Sequence, residues 1–430
     1  MNWIPILICF VLFLLKVPVA ISLIFATVVY FAFFDGMMPM VLVIQRMVNA
    51  NQSFTLLAVP FFVTLGVILN YAGISEKLLG FCNLLMGHKK GGLGYVNILL
   101  TLLMSGVSGA ASADAAMGSK VVVPQMVKHG YDKAFSTAVT AASALISPII
   151  PPGVGLIIFA SMTGTSVGRM FLGGYVPGLL MGLAFMAVVY ILAKHNPDDY
   201  RPSREHRASF KEIFRGFLDC FWALIIPPMI IVGLRFGFFT PTEAGAIIIA
   251  LCLFAGFFVY KKLKISHIPK ILVESATSSA SIMLLIVGAN LLGFYMSWER
   301  IPQNITAFIT GVTQNPLVFL LIVNLFLIFM GMFLEGTALL MIATPLLFPA
   351  AMDMGIDPVH FGFVMITNIA IGGITPPFGS IMFLTCAITK VSVVDFMKKG
   401  WPFVVALLVV VLTLTYFPTL VTFLPNLIMG

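Results

Sequence analysis

Charge is scarce in this chain. Only 9% of its 430 residues are Asp, Glu, Lys or Arg, against 60% hydrophobic residues and 39 Phe. No soluble core needs that much apolar surface, so a soluble globular protein is excluded. The five cysteines (Cys9, Cys82, Cys220, Cys252, Cys386) are scattered, mostly within apolar runs, with no CxxC or metal spacing. They read as small packing residues rather than a disulfide or zinc framework. The six histidines form no HExxH. The net charge of +8 is no nucleic-acid signal, because the basic residues cluster between apolar runs, as in cytoplasmic loops of an inner-membrane protein. The start is apolar from Trp3 with no basic n-region. An uncleaved first span is therefore expected rather than a signal peptide.

What is present is a series of apolar runs of about 20 residues along the whole length, the pattern of an all-α polytopic membrane protein. A first tract covers residues 4–34 and is interrupted by Lys16-Val17-Pro18. A second covers residues 56–71 and ends at Ala72-Gly73, a C-cap signal. A basic, glycine-rich turn occupies residues 87–92, and a basic stretch runs from 194 to 215. Residues 204–215 are expected to form a basic helix on the membrane surface. Two further spans, 217–236 and 243–260, return the chain to Lys261, Lys262, Lys264 and Lys270. Both basic stretches then fall on the cytoplasmic side.

Residues 105–114 break the pattern. Ser105, Ser108, Gly109 and Asp114 follow one another inside a long apolar tract. A carboxylate at bilayer depth costs at least ~2.5–3.5 kcal/mol and marks a functional site by default. The stretch reads as a hairpin tip or helix break lining a cavity, because irregular backbone survives at membrane depth only there. The alternative is a tight helix crossing with serine hydrogen bonds. Further on, Ser147-Pro148-Ile149-Ile150-Pro151-Pro152-Gly153 interrupts another apolar tract. Each proline deprives the carbonyl four residues earlier of its helical partner, which predicts free carbonyls at Ala144, Ser147 and Pro148. Pro152 is placed to open a second half-helix. Two half-helices meeting at mid-membrane aim carbonyls at a cation and N–H groups at an anion.

The landmarks recur. Pro124 and Pro349 lie 225 positions apart, and the same offset links Gly130 with Gly355, Asp132 with Asp357, Pro151-Pro152 with Pro376-Pro377, and Pro177 with Pro402. In the second copy the prolines predict free carbonyls at Gly372 and Gly373. Glu335-Gly336-Thr337 is the counterpart of the opening stretch, with Glu335 aligned to Ala110 rather than Asp114. Arg169 falls outside and Lys390, Lys398 and Lys399 inside, so the copies have opposite orientation. An inverted-topology repeat with paired broken helices is the signature of a secondary transporter with its sites at the repeat interface.

At these residues the chain resembles the large membrane subunit of tripartite ATP-independent periplasmic (TRAP) transporters. The resemblance covers nearly the whole length. It rests on Val17-Pro18-Val19-Ala20, Ser108-Gly109 through Asp114 and Gly118, His129-Gly130-Tyr131-Asp132, Pro148-Ile149-Ile150-Pro151-Pro152, Gly355-Ile356-Asp357-Pro358-Val359-His360-Phe361-Gly362 and Thr375-Pro376-Pro377. One departure is Glu335-Gly336-Thr337, where compared members carry an Asp-Thr-type pair. The resemblance implies an elevator-type carrier driven by Na+, with two re-entrant hairpins and two broken helices. It implies a small four-helix membrane subunit (Q) and a soluble periplasmic substrate-binding protein (P) as partners. The substrates it implies are organic acid anions, namely dicarboxylates, 2-oxo acids and sialic acids, with the wording leaning toward the sialic-acid branch.

On that reading the expected division is 1–52 for N-terminal scaffold and partner-contact helices, 53–193 for the first repeat, 194–216 for a cytoplasmic basic connector helix, 217–284 for scaffold helices and 285–430 for the second repeat. Sodium site one takes Ser105, Ser108, Gly109, Asp114, Ser147, Pro148 and Gly153. Site two takes Glu335, Gly336, Thr337, Gly372, Gly373 and Thr375. Pro151, Pro152, Pro376, Pro377 and Gly379 are expected to meet substrate. Arg169, Arg235, Glu243, Glu299 and Arg300 are the outer charges expected to orient a partner. Two alternatives remain at this point. Gly106-Val107-Ser108-Gly109 with His360 fits an intramembrane serine protease, and an ion channel is the other. No nucleic acid is expected as a partner; membrane lipid is.

Overall fold

The computed structural model describes residues 3–15, 17–35, 38–196 and 199–430. Lys16, part of the expected first interruption, lies outside the described residues. Among those described there are helices and no strands. The chain opens with α1 (Ile4–Leu14), α2 (Val19–Phe33) and α3 (Met40–Asn49). Then come α4 (Ala58–Ala72), α5 (Ile74–Met86), α6 (Gly92–Ser108), α7 (Ala111–Lys128), α8 (Lys133–Ala144), α9 (Val154–Thr163) and α10 (Val167–His195). A middle section holds α11 (Phe210–Leu224), α12 (Ile226–Arg235), α13 (Pro241–Phe254), α14 (Ile268–Trp298) and α15 (Ile301–Val312). The last section is α16 (Pro316–Gly331), α17 (Gly336–Asp353), α18 (Pro358–Gly372), α19 (Ser380–Thr389), α20 (Val393–Tyr416) and α21 (Thr419–Met429). Six helices among the described residues are long and apolar enough to cross a membrane; α11 and α12, bent by 47° at their junction, meet the same length and apolarity only as a pair.

The repeated landmarks each have a structural task. α7 and α17 start 225 positions apart, and so do α8 and α18. Asp132 caps α8 by accepting from Phe135 N at 2.7 Å. Asp357 caps α18 by accepting from Val359 N at 2.8 Å and His360 N at 3.0 Å. Gly130 and Gly355 make the turns before those caps with φ of +87° and +72°, a region open to glycine at little cost. Pro151-Pro152 and Pro376-Pro377 are both cis. Losing an Asp cap costs about 1 kcal/mol. Asp357→Ala is therefore expected to lower the melting temperature in detergent more than Asp132→Ala, since it frees two N–H groups against one; equal melts would remove the difference.

The two copies point in opposite directions. The Phe135 ring, near the start of α8, lies 6.2 Å from Phe403 in the first half of α20, and Phe403 lies 5.9 Å from Phe185 in the second half of α10. Gly173, early in α10, packs instead on Val359 and Phe363 at the start of α18. There His360 Nε2 lies 2.9 Å from the carbonyl of Leu414, late in α20. α8 and α18 thus begin at opposite ends of the molecule. The copies also exchange elements, since α9 packs on α17 and α19 packs on α7.

Basic turns meet at the α8 end, with Lys89, Lys90, Lys133, Arg201 and Arg204 in or beside them. Its turns are laced together: Ser203 N donates to Gly87 O at 2.9 Å, Gly91 N to Tyr200 O at 2.9 Å and Tyr131 Oη to Arg201 O at 2.8 Å. The basic stretch expected to be helical from Arg204 enters its helix only at Phe210. Ser209 stops it earlier by forming a capping box with Glu212, which fixes the first helical turn at that point.

The breaks correct two expectations. Of the predicted free carbonyls, Ala144 accepts from Ser147 N at 3.2 Å, Gly372 from Thr375 N at 3.2 Å and Gly373 from Ile381 N at 2.9 Å. At Ala144 and Gly372 the chain tightens into i→i+3 bonds, so a nearer N–H replaces the one proline lacks, whereas Gly373 is reached from Ile381, eight residues on, in the next half-helix. Among the described residues no backbone N–H reaches the carbonyls of Ser147 and Pro148. The second half-helices open at Val154 and Ser380, with Gly153 and Gly379 as their N-caps, not at Pro152. Gly153 supplies the non-helical step, with ψ of 127°, from which α9 starts.

Candidate functional site

The site forms where each hairpin turns beside the break of its own copy. α6 stops at Ser108 because Gly109 is left-handed, with φ of +63°. Ala110 is then extended and α7 begins. The Val154 N–H, first in α9, donates to Gly109 O at 3.5 Å. In the second copy Phe378 N donates to Met332 O at 3.1 Å. Each tip is thus tied to the adjoining break by a backbone hydrogen bond.

Four polar side chains gather behind the first tip. Asp114 stands in the first turn of α7 and is only 4% exposed. Its Oδ2 accepts from Ser108 Oγ at 2.8 Å and also from Ser147 Oγ in the break. Ser105 Oγ lies 3.0 Å from Ser147 Oγ and donates to Thr101 O at 2.6 Å. The structure therefore brings Ser105, Ser108, Asp114 and Ser147 together, with Gly109, Pro148 and Gly153 supplying the adjoining backbone.

The second tip is built differently. Glu335 is the N-cap of α17, the place Ala110 has before α7. Its carboxylate accepts from Ala338 N at 3.0 Å and Thr337 Oγ1 at 3.0 Å, and unlike Asp114 it is exposed. Thr375 Oγ1 turns to Ile371 O at 2.7 Å, and Gly372 is pressed against Gly331. The expected second set is thus spread between the tip and the helix packing behind it.

Both tips face one cavity of about 560 Å³. Ser108, Gly109 and Ser112 line it from the first tip, and Glu335, Gly336 and Thr337 from the second. Pro148, Gly373 and Ser380 come from the breaks. Asp114, Ser105 and Ser147 stand one layer behind this wall. Pro151, Pro152, Pro376, Pro377 and Gly379 shape the breaks without lining the cavity. The opposite wall is α4 and α14, which contribute Asn70, Ser278 and Ser281; sequence reasoning missed them. A signal existed in the polar run Glu274-Ser275-Ala276-Thr277-Ser278-Ser279-Ala280-Ser281 inside an apolar helix. Among the described residues no three His, Cys, Asp or Glu come together. The available ligands are hydroxyl, carboxylate and backbone oxygens, a hard set suited to an alkali cation.

Residues 6–420 match the family model described as the DctM component of the tripartite ATP-independent periplasmic transporter. The chain belongs to the DctM family. The sialic acid TRAP transporter large permease protein SiaM of Vibrio cholerae is 37% identical over 413 residues, with 96% of each chain covered. The C4-dicarboxylate TRAP transporter large permease protein DctM of Pseudomonas aeruginosa is 35% identical over 381 residues, 89% of this chain and 88% of that one. The solved YdaH transporter of Alcanivorax borkumensis matches with a TM-score of 0.67 over 94% of this chain and 98% of its own, at 14% identity. That last likeness is one of fold.

Membership in the DctM family, with the apolar helices above, makes this a multi-pass membrane protein and a transport component rather than an enzyme. The protease alternative falls with it. In this DctM-family chain Ser108 is bonded to Asp114, and the His360 ring is held at the Leu414 carbonyl near the opposite end of α18 from the break. The charges expected on the outer side are placed as follows. Arg169 Nη2 donates to Asn426 Oδ1 at 2.6 Å, and Arg235 lies 5.9 Å from the Phe236 ring. Glu243 caps α13 through Thr240, Glu299 accepts from Tyr30 Oη, and Arg300 is exposed.

Proposed function

We propose that this chain is the large membrane subunit of a sodium-coupled importer of organic acid anions in a bacterial inner membrane. The observation that carries the reading is the single cavity walled by both hairpin tips and both helix breaks. Sodium ions occupy the two tip–break junctions, one at Ser105, Ser108, Gly109, Asp114 and Ser147, the other at Glu335, Gly336 and Thr337, beside Gly373. The anion sits in the cavity between them, where N–H ends and hydroxyls converge. Its class is that of the relatives' substrates, a sialic acid or a C4-dicarboxylate. The two copies, interlocked through α9 with α17 and α7 with α19, move as one body past α4 and α14 in an elevator step. A periplasmic substrate-binding protein docks on the end bearing Arg169, Arg235, Glu243, Glu299 and Arg300, and a small four-helix membrane subunit completes the complex.

Two cation sites imply at least two sodium ions per anion. With a monoanion, one net positive charge enters per cycle, which couples uptake to membrane potential by ~2.3 kcal/mol per 100 mV. In proteoliposomes holding the chain with both partners, uptake is expected to require an inward sodium gradient and, for a monoanion, to accelerate when the interior is made negative. Uptake indifferent to sodium would overturn the coupling, and saturable uptake by the purified chain alone would overturn the tripartite reading. A channel would instead show uptake that does not saturate.

A further inference from the structure

α11 carries three distinct faces. Gly216 and Cys220 point into the protein, where Gly216 meets Leu84 and Phe81 of α5. Phe210, Phe214, Phe217 and Phe221, at positions i, i+4, i+7 and i+11, form a second face that is left uncovered, from 83% exposure at Phe210 to 38% at Phe221. Lys211 and Arg215, one turn apart, form the third face, with Arg207 just before the helix; all three are exposed. The helix's own acids are engaged elsewhere. Glu212 is held by the Ser209 N–H and lies 3.5 Å from Arg204, and Asp219 lies 3.7 Å from Lys77. Among the described residues no carboxylate forms an ion pair with Arg207, Lys211 or Arg215.

An aromatic face beside a cationic one is the arrangement of a helix lying at the headgroup boundary. The 47° bend into α12 is what allows α11 to leave the direction of the following helix. Arginine and lysine on such a face meet phosphate, with arginine supplying a planar fork of donors. We propose that Arg207, Lys211 and Arg215 bind the phosphate of an anionic phospholipid whose acyl chains lie over the phenylalanine face. The occupant is a lipid rather than a soluble anion because the apolar face adjoins the cations and would otherwise be uncovered. The site has a route to the transport machinery. α11 packs on α5, and α5 leads through the turn at Gly87, clasped by Ser203, into the first hairpin. The inference is independent of the sodium reading.

The test is a thermal melt of the purified chain in detergent, titrated with phosphatidylglycerol, phosphatidylcholine or inorganic phosphate. Phosphatidylglycerol is expected to raise the melting temperature saturably, and the other two are not. Lys211→Gln with Arg215→Gln is expected to weaken that response about thirtyfold, from two charges near an anionic lipid. The double variant Lys398→Gln with Lys399→Gln, cations at the same end of the molecule, is expected to leave it intact. An unchanged response in the α11 double variant overturns the proposal. So does an equal loss in the control pair, which would mean only a general basic field, or an equal gain from inorganic phosphate. Should the double variant melt lower before any lipid is added, the single variants carry the test, each with about a fivefold loss.

Discussion

Asp114→Asn is expected to reduce sodium-driven uptake about a hundredfold or more, in a protein that still inserts and folds. Asparagine keeps the size of the side chain and one oxygen for the Ser108 and Ser147 hydroxyls, which both converge on Oδ2. What it removes is the charge. A unit cation about 4 Å from a carboxylate gains roughly 4 kcal/mol at an effective dielectric constant of about 20, and a hundredfold loss needs only about 2.8 kcal/mol. A buried carboxylate that serves packing alone would be replaced by Asn with little effect or a gain, because its desolvation is costly. The sign of the change therefore separates the two roles. Ser108→Ala should do less, since it removes one hydrogen bond to a charged group, about 1.5–3 kcal/mol. Sodium titrations of uptake in proteoliposomes provide the measurement. Wild-type sodium affinity in the Asn variant would sink the assignment of Asp114 as a ligand, whatever happens to substrate turnover.

The features that could be read in advance are those where a residue type has only one task. Paired prolines, glycines ahead of the Asp132 and Asp357 caps, and the caps themselves are set by local chain geometry, so they survive in the sequence as a 225-residue offset. The cluster of Ser105, Ser108 and Asp114 was visible because polar groups at membrane depth are expensive. Its junction with Ser147, 33 residues beyond Asp114, was visible only as an expectation from the break. Three things were not legible, for a shared reason. The cavity wall of Asn70, Ser278 and Ser281 comes from α4 and α14, which lie far apart in the chain and meet only through packing. The carbonyls freed by proline were countable, but not the N–H groups that turn back to them. The pressing of Gly372 on Gly331 depends on how closely two helices cross, which no local pattern encodes.

Gly109→Ala is expected to abolish transport, while Gly130→Ala, with the same kind of backbone, is expected to be tolerated. Both glycines are left-handed, with φ of +63° and +87°. An alanine in that conformation costs roughly 1–2 kcal/mol at either place. The surroundings separate them. A Cβ at Gly130 meets nothing within 4 Å, whereas at Gly109 it would lie 2.2 Å from the carbonyl oxygen of Pro152 and 3.1 Å from its carbon. These are backbone atoms on one side and a backbone-fixed Cβ on the other, so no rotamer relieves the overlap. The tip must move off the break, which lengthens the Gly109–Val154 bond and separates Ser108 and Asp114 on the hairpin from Ser147 in the break. Overpacking of this kind costs about 1–3 kcal/mol in a core; here the displacement also takes apart a site that needs its oxygens at fixed distances. The second copy offers an independent check, because a Cβ on Gly372 would lie 2.3 Å from the Gly331 carbonyl carbon. Gly372→Ala should therefore fail like Gly109→Ala although its own φ of an ordinary helix carries no left-handed penalty. Transport and melting temperature measured on the three variants separate contact from strain. If Gly109→Ala behaved like Gly130→Ala, the close approach of tip and break would be dispensable, and with it the reason for placing an ion at their junction.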